Sequence, residues 1–326
     1  MELIFLGTSS GTPSRTRNVS GLALRGEASR HWSLIDCGEA TQHRILRTRL
    51  SLMELRAVFI THMHGDHCYG LPGLLASAGM LGRTELLYVV GPGPLRAFLQ
   101  GVMDTTELAL PFPIEFVEVH GEAGRPLPDV LPDLAVTSTP LSHRLPSWAY
   151  TFREREVERK LDTAKLRAAG IPADERWGEL QRGHDVVLDD GRVLRADDFR
   201  LAPRKARSIV VGGDNDRPEL LIDEARRADV LVHEATYTEP VLARVGPGPQ
   251  HSSAAMTARA AQAAAVANLV LTHFSPRYQD TQEGKAGLTM RDVEDEARAA
   301  YDGRLFLARD FDRYVLDRQG VLARVE

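Results

Sequence analysis

The stretch "THMHGDHCYGLP", residues 61–72, gathers three histidines and an aspartate into positions 62–67. The whole chain of 326 residues holds only eleven histidines, so this concentration needs a cause. A solvated polar turn would accommodate Gly65, but the flanks argue against one. "RAVFI" (56–60) has the unbroken apolar character of a buried strand, and "YGLPGLLASAGML" (69–81) reads as a helix. The polar cluster therefore falls where a strand ends and a helix begins, a common place for sites in α/β folds. His-x-His-x-Asp-His offers neutral imidazoles and a carboxylate, the donor set that suits zinc and similar ions. Cys68 follows directly; with imidazoles already abundant, it reads as a small buried residue rather than a ligand.

The surrounding pattern places this loop in a layered α/β fold. Short apolar runs separated by Gly/Ser/Pro turns open the chain: "ELIFLG" (2–7), "GLALRG" (21–26) and "WSLIDCG" (32–38). An amphipathic stretch, "EATQHRILRT" (39–48), precedes the strand that leads to the cluster. Beyond it come "ELLYVVG" (85–91), "PLRAFLQGVM" (94–103), "IEFVEVH" (114–120) and "LAVTSTPLSH" (134–143). Strands mixed with helices in this order predict strand layers back to back with helices outside. Character changes between about Phe152 and Arg207: "REREVERKLDTAKLRAAG" (153–170) is highly charged, "QRGHDVVLDDGRVL" (181–194) reads as a β-hairpin, and "APRKARS" (202–208) is basic. With few apolar residues at core spacing, this segment reads as an arm inserted outside the main core. Strand and helix patterns resume with "SIVVGGDND" (208–216), "PELLIDEARRA" (218–228), "DVLVHEATY" (229–237), an Ala-rich helix (254–267) and "LVLTHFS" (269–275).

One loop cannot fill two metal sites, so other segments must contribute. Three residues stand at the polar ends of apolar strands: His143 ends "TSTPLSH", Asp214 ends "SIVVGGD" and His273 ends "LVLTH". Singly, each could be a hydrogen-bonded histidine or a turn aspartate. With His62, His64, Asp66 and His67 they make five imidazoles and two carboxylates. If the strands share sheet faces, their ends converge on one rim. Such a set suits two metals about 3.5–4 Å apart with a bridging carboxylate. "HEAT" (233–236) and "HSS" (251–253) are also strand-end features. An ionised Glu234 beside His251 would orient the ring and keep it protonated. The plainer alternative is that Ser252 or Ser253 caps the Ala-rich helix and His251 only precedes it. The two roles are compatible.

Composition narrows the classes. At 43% hydrophobic the chain can bury a sizeable core, and its length permits one large domain or two smaller ones. The net charge of −5 gives no global sign of nucleic-acid binding, though a local basic surface is compatible with it. Two cysteines are too few for a disulfide framework and favour a reducing compartment. No apolar run approaches the ~20 residues of a membrane span, and "MELIFLGTSSGTPS" lacks the regions of a signal peptide. A cytoplasmic protein is the expectation.

At these residues the chain resembles the ribonuclease Z family, tRNA 3′-end-processing endonucleases of the metallo-β-lactamase superfamily. The matching segments are "MELIFLGTSSGTPS", "RN" (17–18), "DCGEATQHRI", "FITHMHGDHCYGLPGLL", "PRKAR", "HEAT", "LTHFSPRY" and the closing "LFLARDFDRYVL". The histidine motif alone marks the superfamily; "DCGEATQ", "HEAT" and the basic loop narrow it to the family. The resemblance implies a four-layer αβ/βα sandwich over residues 1–326, with a protruding flexible arm inserted at 152–200 that grips the tRNA elbow. It implies two zinc ions per subunit, one held by His62, His64 and His143, the other by Asp66, His67 and His273, with Asp214 bridging. Asp66 becomes the proton acceptor, and Glu234 with His251 the donor to the leaving oxygen. Arg204, Lys205, Arg207 and Arg277 become RNA contacts, precursor tRNA the substrate and a homodimer the assembly. The chain departs from the family pattern in three places. "IPADERWGEL" (171–180) stands where the arm normally has a Gly-Pro turn, acids nearly balance bases within 153–182, and "GGDN" replaces Gly-Asp-Thr. Two other functions fit parts of the pattern. One is a small-substrate hydrolase of the same fold, such as a phosphodiesterase, thioesterase or lactonase, against which the arm and "PRKAR" argue. The other is a metal-stabilised RNA-binding protein without catalysis, against which the full ligand set and the Glu234/His251 pair argue.

Overall fold

Period-two alternation decides which way each strand faces. In Ser208–Val211, Ile209 and Val211 enter one buried cluster while Val210 enters another; Val230 and Val232 likewise oppose Leu231. The same split runs through Leu55–Phe59, where Ala57 and Phe59 face one side and Val58 the other. Such strands must be covered on both faces, which requires two sheets and helices outside them. The structure, a computed structural model, describes residues 1–27, 29–280 and 287–325. Its chain falls into two compact units, residues 1–153 with 207–326, and residues 154–206.

The larger unit contains an eight-stranded and a seven-stranded sheet. In the first, the strands run in the order Leu322–Val325, Arg313–Leu316, Glu2–Gly7, Gly21–Arg25, Trp32–Ile35, Leu55–Phe59, Leu87–Gly91, Ile114–Glu118. In the second the order is Arg304–Leu307, Asn268–Thr272, Val230–Glu234, Ser208–Val211, Ser147–Glu154, Leu134–Leu141, Arg125–Pro126. The two sheets share one core, in which Phe5, Phe59, Tyr150, Phe152, Val211 and Val232 meet. Phe59 packs edge-on to Phe152, with ring centroids 5.1 Å apart. Helices Thr41–Ile45, Leu71–Met80 and Pro94–Thr106 cover the outer face of the first sheet, and Ile222–Arg226, Glu239–Val245, Ala254–Ala264 and Met290–Arg298 that of the second. This is the layering the apolar pattern predicts.

Both sheets have a parallel half. Trp32–Ile35, Leu55–Phe59, Leu87–Gly91 and Ile114–Glu118 run parallel, as do Ser208–Val211, Val230–Glu234, Asn268–Thr272 and Arg304–Leu307. Parallel strands deliver their carboxyl ends to one rim, where α/β sheets place ligands. Asp36, His62, Asp214, Glu234 and His273 all follow or end such strands.

Two sequence expectations change in detail. The helix expected over 69–81 begins only at Leu71, after a short separate turn of helix at Gly65–Cys68. Between the two lies Gly70, where backbone presses on backbone: a Cβ on Gly70 would lie 2.0 Å from the Gly38 carbonyl oxygen. A Cβ on Gly38 would in turn lie 2.3 Å from the Asp66 carbonyl oxygen. Cys37 N–H donates to the His67 carbonyl (2.8 Å) and Gly70 N–H to the Cys37 carbonyl (2.9 Å), so the contact zips two strand-end loops together. The amphipathic stretch 39–48 forms a helix only over Thr41–Ile45, entered through Ala40 in a left-handed conformation.

The smaller unit has a core of its own. Leu166, Ile171, Leu180, Leu188, Leu194, Ala196 and Phe199 are buried together, with Trp177 against them. Helices Thr163–Ala168 and Glu175–Arg182 are capped by Asp162 and Asp174, and Val186–Val187 pairs with Val193–Leu194 as the expected hairpin. Its two ends are tied together, Asp162 N–H to the Phe199 carbonyl and Leu201 N–H to the Lys160 carbonyl, each 2.7 Å. Among the described residues no helix is long and apolar enough to cross a membrane.

Substituting Gly70→Ala should lower stability by about 1–3 kcal/mol, since the added methyl must displace backbone rather than a side chain. Gly101→Ala, in the exposed interior of Pro94–Thr106 with open space around it, should raise stability by about 0.5–1 kcal/mol. Denaturant titration of both variants checks this pair; equal effects would contradict the close approach at Gly70.

Candidate active site

The loop after Leu55–Phe59 carries His62 inward, fully buried, and holds His64 in an extended conformation before the turn Gly65–Cys68. His62 Nε2 lies 3.0 Å from His64 Nδ1, and His143 Nε2 lies 3.1 Å from the same atom. A second group forms beside it: His67 Nε2 and His273 Nε2 are 3.2 Å apart, and Asp66 Oδ2 is 3.5 and 3.4 Å from them. Asp214 stands between the groups. Its Oδ2 faces His62 and His143 at 3.5 and 3.8 Å, while its Oδ1 faces His67 and His273 at 3.5 and 3.3 Å. The seven residues that the sequence proposes as ligands thus come together, one carboxylate oxygen turned toward each group.

The outer nitrogens decide what the inner ones can do. His67 Nδ1 donates to Asp36 Oδ2 (2.7 Å) and His143 Nδ1 to the Gln250 carbonyl (2.8 Å). His62 Nδ1 meets the Thr61 hydroxyl at 3.0 Å and His273 Nδ1 the Thr236 hydroxyl at 2.9 Å. With Nδ1 engaged outside, each Nε2 is turned inward, where it can give its lone pair to a cation once any proton it carries is displaced. Lone pairs facing one another at such separations repel unless a cation lies among them. The donor set of imidazole nitrogens and carboxylate oxygens, oriented in this way, fits divalent metal ions of the zinc type.

The carboxylates set the charge on one ring: burial would lower His67, but Asp214, Asp36 and Asp66 outweigh it and hold the imidazole well above its ordinary value. Burial would raise the Asp66 and Asp214 carboxyls, but the surrounding imidazoles outweigh it and hold both far below their usual range. Burial, reinforced by His67, keeps His62 well below its ordinary value and hence neutral. His251 behaves oppositely. Burial would lower it, yet Glu234 and Asp214 push it up to about 9. Its Nδ1 lies 3.1 Å from both Glu234 carboxylate oxygens. Glu234 is buried, and accepts from the Asn215 backbone N–H (2.7 Å) and from the Thr236 hydroxyl. Ser253, not Ser252, caps Ala254–Ala264, accepting from Met256 N–H, so the capping role and the Glu234–His251 pair coexist.

Several residues at the site had no role in the sequence reading. Asp36 accepts from Thr61 N–H (2.8 Å), the Thr61 hydroxyl (3.0 Å) and His67. Thr236 links Glu234 to His273, and Gln250 contributes only its carbonyl. Asp36, Gln250 and His273 all have left-handed backbones, at φ of 58°, 55° and 57°, conformations that non-glycine residues adopt at a cost. A signal for Asp36 existed, since it ends "WSLID" as the ligands end their strands. Asn215, the departure in "GGDN", does more than exchange a hydroxyl for an amide. Its Oδ1 accepts from Ser142 N–H (3.2 Å), next to His143, and from Arg217 N–H (3.1 Å).

The four basic residues separate. Arg277 is exposed and lies over the Tyr237 ring, 5.7 Å from its centroid, and Tyr237 in turn packs edge-on to His251. Arg204 pairs with Glu154 at 2.6 Å, and Lys205 is exposed. Arg207 is 3% exposed, donating to the Leu316 carbonyl (2.8 Å) and pairing with Glu27 (2.6 Å). Its guanidinium is spent on holding the start of its strand to the first sheet and to Glu27, which places it apart from the solvent-facing cations.

Comparison with known proteins gives the family and the fold. The family described as anti-Pycsar protein Apyc1 matches over residues 1–88, the part that includes the histidine cluster. Ribonuclease Z of Marinobacter nauticus is 53% identical over 329 residues, covering 100% of this chain and 99% of that protein. Ribonuclease Z of Pseudomonas putida is 49% identical over 325 residues, covering 100% and 99%. Among solved structures, human tRNase Z, short form, aligns at a TM-score of 0.65 with 24% identity, covering 97% of this chain and 100% of that one. The metallo-β-lactamase fold protein YhfI of Bacillus subtilis aligns at 0.63 with 16% identity, covering 96% and 98%. The two structures share the fold, a metallo-β-lactamase fold, and the two full-length relatives share far more than that. On identity of about half from end to end, the chain belongs to the ribonuclease Z family.

Proposed function

We propose that the protein is a zinc-dependent endoribonuclease that removes the 3′ trailer from tRNA precursors. One observation carries the reading: Asp214 stands between two ligand groups, with the Glu234–His251 pair against it, His251 Nδ1 being 3.7 Å from Asp214 Oδ2. That combination supports a proton-donating group beside a two-metal centre, the pairing that phosphodiester hydrolysis with a poor leaving group calls for. His62, His64 and His143 would hold one zinc ion, Asp66, His67 and His273 the other, and Asp214 would touch both. Bound there, the ions would supply a nucleophile at neutral pH by lowering the pKa of water, and would offset the phosphate's charge.

The chain's own groups handle the protons. Water attacks phosphorus, and the bond from phosphorus to the 3′-oxygen breaks. Asp66 accepts the proton the water gives up. His251 gives its proton to the departing 3′-oxygen, and Glu234 fixes the ring that delivers it. The products are a 3′-hydroxyl on the tRNA and a 5′-phosphate on the trailer.

In this reading the protein works in the cytoplasm as a homodimer, and residues 154–206 form the arm that grips tRNA. Arg277, Arg204 and Lys205 contact RNA, while Arg207 anchors its strand. The arm's grip is moderate in charge, because Arg159, Arg176, Arg182, Arg192 and Arg200 are each already paired with an acid of the same unit. Incubating the protein with labelled precursors, with and without an encoded CCA, and mapping the cut tests the function directly. Turnover of a generic phosphodiester without any cleavage of precursor tRNA would overturn it.

Protein purified without chelator should carry about two zinc ions per chain, and chelation should abolish cleavage. His62→Ala should lose metal and activity together. His251→Ala should keep the metal and cleave about 10²–10⁴-fold more slowly. Metal analysis beside single-turnover kinetics separates the two, and a His251→Ala enzyme as fast as the parent would remove the proton-donor role.

The arm offers a second test. Ser208–Val211 pairs antiparallel with Ser147–Glu154, Ser208 opposite Arg153, so the chain ends left by excising the arm lie side by side. Replacing residues 156–204 with a short linker should lower kcat/KM for precursor tRNA by about 100-fold, because distant contacts position a long substrate. Hydrolysis of bis(p-nitrophenyl) phosphate should largely persist. The salt dependence of tRNA binding should be shallower than a purely basic arm would give. Equal losses on both substrates would mean that the segment supports the main core.

A further inference from the structure

Beside the ligand cluster a cavity of about 380 Å³ opens between the helix Glu239–Val245, the loop 246–251 and the first turn of Ala254–Ala264. Its size lies in the range of small-ligand sites. Leu242, Pro247 and Met256 give it apolar walls, Asp216 and Gln250 add polar atoms, and His251 forms part of its lining. One polar atom is unaccounted for. Asp216 Oδ1 is buried and accepts no hydrogen bond among the described residues, a rare and costly condition for an acceptor. The residue is not loose, since its backbone N–H donates to the Ser142 carbonyl at 3.0 Å.

We propose that this cavity seats the base of the nucleotide carrying the leaving 3′-oxygen, and that Asp216 reads that base by accepting from an exocyclic amino group. The inference rests on the tRNA 3′-end reading above. If His251 hands its proton to the 3′-oxygen, the ribose bearing that oxygen lies against His251. The base on that same ribose is then the group nearest the cavity that His251 lines. Apolar walls suit the faces of a nucleobase, and the Asp216 carboxylate on the cavity's wall suits its edge. A carboxylate can only accept. Adenine and cytosine present an amino group at the Watson–Crick edge where uracil presents a carbonyl, so the site favours the first two and disfavours the third.

The test uses the full-length zinc-loaded protein and precursors that differ only in the nucleotide immediately 5′ of the cut: adenine, cytosine, uracil, or an abasic residue. The parent enzyme should cleave the adenine and cytosine precursors with a kcat/KM about tenfold above that for uracil, and the abasic precursor no better than uracil. Asp216→Asn exchanges an acceptor-only group for one that also donates, so it should shrink the ratio of adenine to uracil toward unity. That ratio is internal to each enzyme and is not moved by a general loss of folding or activity. An abasic precursor cut as fast as adenine, a parent ratio near unity, or an unchanged ratio in Asp216→Asn would overturn the inference while leaving the tRNA reading intact. Failure of the parent to cut any of the four would overturn both.

Discussion

Imidazole lone pairs held face to face set the terms for the rest of this fold. His62, His67, His143 and His273 each have Nδ1 engaged outward, so their Nε2 atoms can only turn inward, against one another and against His64. Nothing in that centre is favourable without positive charge. Side chains free to move would rotate apart, so the arrangement persists only if each ring is held by groups that are themselves fixed. A stiff scaffold therefore comes first, and affinity for ions follows from the repulsion it prevents from relaxing.

The scaffold supplies stiffness through two core-sharing sheets that end on one rim. Asp36 is the hinge between strand and site. It follows Trp32–Ile35, adopts a left-handed backbone, and with one carboxylate holds Thr61, the residue before His62, and the ring of His67. Thr236 does the equivalent work on the second sheet, tying Glu234 and His273 on adjacent parallel strands. Gln250 spends backbone strain so that its carbonyl can reach His143 while its neighbour His251 reaches Glu234. Each device joins one ligand to another segment, so an error in any one would be felt at several rings.

What the sequence revealed, and what it hid, follows from this division. The clustered residues were legible because a polar residue ending an apolar strand breaks the local pattern, as His143, Asp214 and His273 do. The layers were legible because both faces of the strands are apolar with period two. The supporting groups were hidden for separate reasons. Asp36 looks like an ordinary turn aspartate, Thr236 like any small residue after a strand, and Gln250 acts only through a backbone atom that every residue possesses. The core of residues 154–206 was hidden because its buried side chains come from two short helices, a two-residue hairpin and a turn. None of these is long enough to show a period. Arg207 sat in a basic run that reads as one surface, yet a strand begins at the next residue, and that start draws its side chain inward.

Asp66 shows how one residue can be asked to serve as ligand and as base. Its Oδ2 is the oxygen that approaches His67 and His273, and the same atom accepts the Gly11 backbone N–H at 2.7 Å. That hydrogen bond holds the carboxylate from a second loop, with Oδ2 toward the two imidazoles. Oδ1 has no hydrogen-bond partner among the described residues. The loop 8–18 that carries Gly11 is itself anchored deeply. Arg17 donates to Thr8 and the Ala308 carbonyl, and Asp310 accepts from Thr8, the Asn18 N–H and Arg44. The buried ion network therefore reaches the ligand cluster through a single amide: it holds the loop, the loop holds Gly11, and Gly11 engages one oxygen of Asp66 and not the other.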